Sequence, residues 1–194
     1  RFLAHVVDRL DPFFTDGDVA VAGIDTSRSF AIDGGRARRR TLASLGERFR
    51  DVPADLLPYL NPSRYCESDK MYDLVGRLFG YIEPGFARVQ ALSDWVTSEL
   101  TYAVGTTDAS SGTADVLLQR AGVCRDFAHL AIALCRCMNI PARYCTGYLG
   151  DIGVPYNPDP MDFSGWFEAY LGGHWHTFDA RHNEPRIGRI LMAT

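Results

Sequence analysis

Gly122-Val123-Cys124-Arg125-Asp126-Phe127-Ala128-His129-Leu130-Ala131-Ile132-Ala133-Leu134-Cys135 carries most of what can be read about the architecture. Gly122 interrupts the segment before it, and Pro141 stops propagation after Asn139. A helix is therefore expected from Cys124 to about Asn139. At about 100° per residue, Ala128, Ala131, Cys135 and Met138 share the side of Cys124, flanked by Phe127, Leu130 and Leu134. Cys124 then projects from the buried edge of a helix N-terminus. The first N–H groups of a helix lack internal partners, and the dipole is positive there. Both favour a thiolate over a thiol. The same N–H groups suit an oxyanion forming on an attacked carbonyl. A plain core cysteine is the alternative, since cysteine is among the most buried residue types. That alternative is preferred for Cys135, Cys137 and Cys145; for Cys124 both readings stand.

Outward from this helix the elements alternate in a readable way. Upstream, Phe86, Val89, Leu92, Trp95, Val96 and Leu100 recur at three and four residues, which predicts a helix with one buried stripe. Met71, Leu74, Val75, Leu78 and Phe79 predict another, closed at Gly80, and Thr113 is expected to cap a short helix containing Val116, Leu117 and Leu118. Downstream, residues 142 to 149 read as a strand. Trp166, Phe167, Tyr170, Trp175 and Phe178 flank Gly172-Gly173, the pattern of a β-hairpin with a two-residue turn. Ile187 to Met192 is expected to add a strand. Residues 1–60 read as a β-rich N-terminal region and linker, and 61–194 as the core.

Composition narrows the function classes. The chain has 194 residues, 46% hydrophobic and 23% charged, enough for one ordinary domain with a sizeable core. Its net charge of −4 argues against nucleic acid or an anionic membrane as a bulk electrostatic partner. The basic run Arg36 to Arg40 reads as a solvated face. No stretch approaches the ~18 continuous apolar residues of a membrane span. The five cysteines, Cys66, Cys124, Cys135, Cys137 and Cys145, make an odd number without paired metal-ligand spacing. A reducing, cytoplasmic setting is expected from this usage. No cofactor and no metal site are expected, and no EF-hand-type calcium loop is seen.

Three blocks, in order, resemble the transglutaminase-like superfamily of papain-like thiol enzymes. The first is Gly122 to Leu130, continued by Leu134-Cys135-Arg136, Asn139-Ile140-Pro141-Ala142-Arg143-Tyr144 and Thr146-Gly147-Tyr148. The others are Trp166-Phe167-Glu168-Ala169-Tyr170, and Trp175 with Phe178-Asp179. The resemblance, over roughly residues 85 to 190, implies an α+β papain-like core. Helices would pack on an antiparallel sheet, with the nucleophile cysteine at the N-terminus of the central helix. It further implies a Cys-His-Asp triad working through a thioester, as in bacterial members of the group. Cys124 then matches the nucleophile and Asp179 the orienting acid. The position two residues before Trp166, where the resemblance implies histidine, holds Ser164.

With a two-residue turn at Gly172-Gly173, Trp166 is expected to face Asp179 and Ser164 to face Arg181. Serine is no base at neutral pH, although it donates and accepts hydrogen bonds. Strand parity turns His174, His176 and His182 to the other side of the sheet. A bulge or strand end near Arg181 would bring His182 back as a substitute base. His129 lies about 140° around the helix from Cys124 and is expected to be a supporting or surface residue. Trp166, Glu168, Tyr102 and Arg181 are the candidate substrate-binding residues. Glu168 reads equally well as a paired surface carboxylate, and Arg181 either binds a substrate carboxylate or pairs with Asp179. Two functions follow. One is an enzyme acting on a peptide, protein or small amide or acyl substrate through a Cys124 thioester, with Asp179 and Ser164 in a modified triad. The other is a catalytically inactive module that binds a peptide or protein in the same cleft.

Overall fold

Pro141 and the alternating aromatic run do shape the chain as their chemistry requires. The computed structural model describes residues 52–194, except 151–154, 157, 159–161, 185 and 187. The expected N-terminal strands and the basic run lie outside the described residues. Two short 3-10 helices, Ala54–Leu60 and Ser68–Lys70, lead into α1 (Tyr72–Phe79) and α2 (Phe86–Glu99). Then follow β1 (Thr101–Tyr102), α3 (Thr113–Gln119), β2 (Ala121–Gly122) and α4 (Cys124–Cys137). The chain continues with β3 (Ala142–Leu149), β4 (Asp162–Leu171), β5 (His174–Phe178) and β6 (Arg189–Ala193).

Helix α4 is the hub because it is apolar almost all round, the signature of a helix buried on every side. Phe127, Leu130, Ala131, Leu134 and Cys135 join one core with Val89, Leu92 and Val96 of α2 and with Phe167, Ala169 and Leu171 of β4. Ala128, Ala131 and Ala133 keep the helix thin enough to lie between these layers. It ends with Asn139 in the left-handed region (φ 57°), and the Ile140 amide donates back to the Cys135 carbonyl at 2.9 Å.

The antiparallel sheet has the order β5-β4-β3-β6. Gly172 and Gly173 both adopt positive φ, 58° and 86°, which a primed hairpin turn requires at both central positions. Leu171 pairs with His174 and Phe167 with Phe178, the predicted register. Alternation along β4 sends Phe167, Ala169 and Leu171 into the α4 core. Trp166 instead packs with Cys145 and Leu149 in a second, small cluster. Ser164 and Glu168 share the parity of Trp166, opposite Gly147 and Arg143 of β3.

Two expectations are corrected. Thr113 does not cap α3: Gly112 precedes the helix, and the Thr113 hydroxyl oxygen instead accepts the Glu67 amide at 3.0 Å. Ser164 does not face Arg181, because β5 ends at Phe178 and the ladder with β4 stops at Phe167↔Phe178. Beyond that point the two strands part.

Candidate active site

Cys124 is the first residue of α4, and its thiol is half-buried, whereas Cys66, Cys135, Cys137 and Cys145 are buried. Burial pushes all four of those thiols up, Cys137 and Cys145 to about 12, which keeps them protonated and inert. The helix start is fixed by Asp126. Its carboxylate accepts the Val123 amide at 2.8 Å and the Thr107 hydroxyl, and pairs with Arg125 at 3.0 Å. Gly122 makes room for it: a Cβ at that position would stand 2.7 Å from the Asp126 side chain. Asp126 is thus structural, as its place in the first turn suggests.

Where β4 and β5 part, residues 179–183 fold into a turn around the Asp179 carboxylate. Oδ1 accepts the backbone amides of Arg181 (3.0 Å) and His182 (3.2 Å), and the Asn183 amide donates to the Asp179 carbonyl at 2.8 Å. Oδ2 meets His182 Nδ1 at 3.1 Å and an Arg189 guanidinium nitrogen at 2.9 Å. Burial by itself would raise the Asp179 pKa; the His182 ring and amide and the Arg189 charge outweigh it and bring the pKa down to about 2. Strand parity does not govern His182, because the strand has ended. An aspartate on Nδ1, leaving Nε2 for other work, is the arrangement in which an acid orients a histidine base.

This turn is tied to the start of α4 through β1. The Arg181 guanidinium lies over the Tyr102 ring at 4.0 Å, and Tyr102 pairs in register with Gly122, two residues before Cys124. The Thr97 hydroxyl on α2 donates to the Ala180 carbonyl at 2.7 Å, and Asn183 binds Asp94 and Gln90. Arg189, not the Arg181 side chain, supplies the guanidinium on Asp179. Arg189 also lies over the Trp166 ring at 5.4 Å.

The remaining sequence candidates separate cleanly. Ser164 is buried, and its hydroxyl has no hydrogen-bond partner among the described residues, a rarity for a buried polar group. Trp166 is a buried packing residue. Glu168 is occupied by Arg143 at 2.7 Å and by the Thr177 hydroxyl, so its paired-carboxylate reading prevails. His174 is exposed, and the His176 ring sits 3.1 Å from the Leu171 carbonyl.

His129 is half-buried, its ring between Tyr65 (ring centroids 5.2 Å, stacked) and Tyr144 (5.1 Å, tilted). Burial lowers its pKa to about 4. A histidine neutral in the fold but protonatable from about 6.5 when unfolded stabilises fully above pH 6.5. That increment fades as the pH falls towards 4, by roughly 3 kcal/mol. His129→Phe is expected to keep the ring stack and flatten stability against pH between 6.5 and 4. Urea unfolding across that range measures it; an unchanged slope would place the titration elsewhere.

A half-exposed cysteine opening the central helix, an antiparallel sheet packed on that helix, and an Asp–His pair where two strands part make up a papain-like core. The chain belongs to the Transglutaminase-like superfamily, whose family profile matches residues 73–180. It is similar to a Cytophaga hutchinsonii protein of known structure, provisionally named a cysteine protease. That likeness has a TM-score of 0.70 and 43% identity, over 80% of this chain and 51% of that one. The periplasmic domain of TgpA from Pseudomonas aeruginosa shares the fold, with TM-score 0.53 and 22% identity over 71% of this chain and 52% of that one. An uncharacterized Mycobacterium leprae protein is 35% identical over 120 residues, 60% of this chain and 43% of its own. The chain thus spans about half the length of these relatives.

Proposed function

We propose that the protein is a thiol enzyme that opens an amide or acyl bond of a peptide or protein substrate through a thioester on Cys124. The observation that carries this reading is a histidine held through Nδ1 by a buried aspartate, in a turn tied through Arg181, Tyr102 and Gly122 to the helix start that bears the half-buried Cys124. His182 takes the Cys124 thiol proton, the thiolate attacks the carbonyl carbon to form a C–S bond as the carbonyl π electrons move to oxygen, and the first-turn amides stabilise the oxyanion. The tetrahedral species then collapses with loss of the C–N bond, and the amine departs with a proton delivered by His182. Water or a second amine attacks the thioester, gives up its proton to His182, and frees the thiol. In this scheme His182 is the substitute base and Asp179 orients it, while the buried Ser164 hydroxyl takes no part. The provisional protease name of the 43%-identical Cytophaga protein points the same way.

Iodoacetamide labelling tests this directly. Cys124 is expected to react much faster than the four buried cysteines, and Cys124→Ser to abolish the fast phase and any trapped acyl-enzyme. Equal, slow labelling of all five would sink the proposal. The Ser164 hydroxyl, standing where the family resemblance implies histidine, favours a second reading, a binding module without chemistry. On that reading Cys124→Ala leaves peptide binding and biological activity intact.

A further inference from the structure

A groove of about 460 Å³ runs along one face of α4 from Arg125 to Arg136, within the ~300–1,000 Å³ typical of ligand sites. Arg125, next to Cys124 in sequence, forms one part of its lining, and Tyr144 forms another. The wall is aromatic: Tyr65, His129 and Tyr144 stand in sequence, with Ile132 beside them.

The floor carries charge without a counter-charge. Arg125 is matched by Asp126. Arg136 is not: its guanidinium donates to the carbonyls of Asn61 (2.8 Å) and Ala142 (3.0 Å), and no carboxylate reaches it among the described residues. Burial lowers its pKa, the cost of a cation held out of water. Arg64, lying over the Tyr65 ring at 5.6 Å, adds a second cation on this side. A guanidinium with N–H donors to spare, set in an aromatic trough, matches a carboxylate on a short apolar stem.

We infer that this groove is a substrate subsite for an acidic peptide side chain, with Arg136 as its anchor and the Tyr65–His129–Tyr144 wall as its apolar side. The inference rests on the thiol-enzyme reading and deepens it by giving the substrate class: peptides carrying Asp or Glu several residues from the bond that Cys124 attacks, since Arg136 lies about 18 Å along α4 from Cys124. His129, neutral above its low pKa, leaves the site's positive charge to the arginines at physiological pH.

Fluorescein-labelled peptides with one Asp among Ala and Ser, and their Asn counterparts, test it by anisotropy on the Cys124→Ala protein, where no chemistry intervenes. The Asp peptide is expected to bind at least 10-fold tighter and to weaken with salt. Arg136→Met should remove the preference. Because Arg136 also ties Asn61 to Ala142, Ala109→Glu provides a second arm: Ala109 is an exposed lining residue, so a carboxylate there repels the probe with little risk to folding. Equal binding of the Asp and Asn peptides, failure of both to bind, or an Asp preference untouched by Ala109→Glu would overturn the inference. Slow labelling of Cys124 with the Asp preference intact would instead retire the enzymatic reading and keep the subsite.

Discussion

Asp179→Ala is expected to destabilise the protein by about 3–5 kcal/mol, the scale for removing one partner of a buried ion pair. The Arg189 side chain is only 10% exposed, and its Nε already lacks a hydrogen-bond partner. Without the carboxylate, one of its guanidinium nitrogens keeps the Arg186 carbonyl at 2.8 Å, and no other carboxylate among the described residues pairs with it. The turn that displays His182 loses its two amide-to-carboxylate bonds at the same time. At roughly 2–4 °C per kcal/mol for a chain of this size, the melting temperature should fall by roughly 10 °C. Adding Arg189→Met should recover much of the loss, since the stranded cation goes with it. If the double variant is no more stable than Asp179→Ala, the pair is not the source. The acid dependence gives a second check. A carboxylate with its pKa depressed to about 2 from an ordinary 3.8 stabilises above pH 4, and this contribution, roughly 2 kcal/mol, is lost as the pH falls through 2. Asp179→Ala should lack that acid limb.

The part of this site that could be read in advance is the part fixed by short-range rules. Cys124 as the first helical residue follows from Gly122 and the apolar period after it. The hairpin register follows from two glycines, because a two-residue turn leaves no freedom in pairing. The turn at 179–183 was open to neither argument. Its shape rests on Asn183 in the left-handed region (φ 50°), held by Asp94 and Gln90 on α2, far away in sequence. Parity arithmetic, valid only while a strand lasts, turned His182 to the other side of the sheet. The His129 stack was equally hidden, since Tyr65 lies 64 residues upstream and Tyr144 on a different element. Thr113 looked like a cap because Ser and Thr favour that position; Glu67 took the task instead, accepting the Ala114 amide at 3.0 Å.

His182→Gln is expected to slow acylation of Cys124 by ~100- to 10,000-fold, the range for a well-placed general base. Glutamine keeps hydrogen-bonding capacity towards Asp179 but cannot carry a proton, so stability should change far less than in Asp179→Ala. The pH profile separates a base from a structural prop. In His182→Gln the pH dependence of the rate should flatten while melting stays close to the parent. Ser164→His in the His182→Gln background makes the assignment sharper. Residues 162–166 of β4 have no β5 partner, and Ser164 faces Gly147, which has no side chain to compete. An imidazole there would stand on the same side of the sheet as Trp166, whose ring lies under the arginine that binds Asp179. Rate recovered in the double variant would mean that either position can serve the same aspartate. Rate unaffected by His182→Gln in the first place would mean that the proton leaves Cys124 by another path, and that the Asp179–His182 pair only shapes the turn.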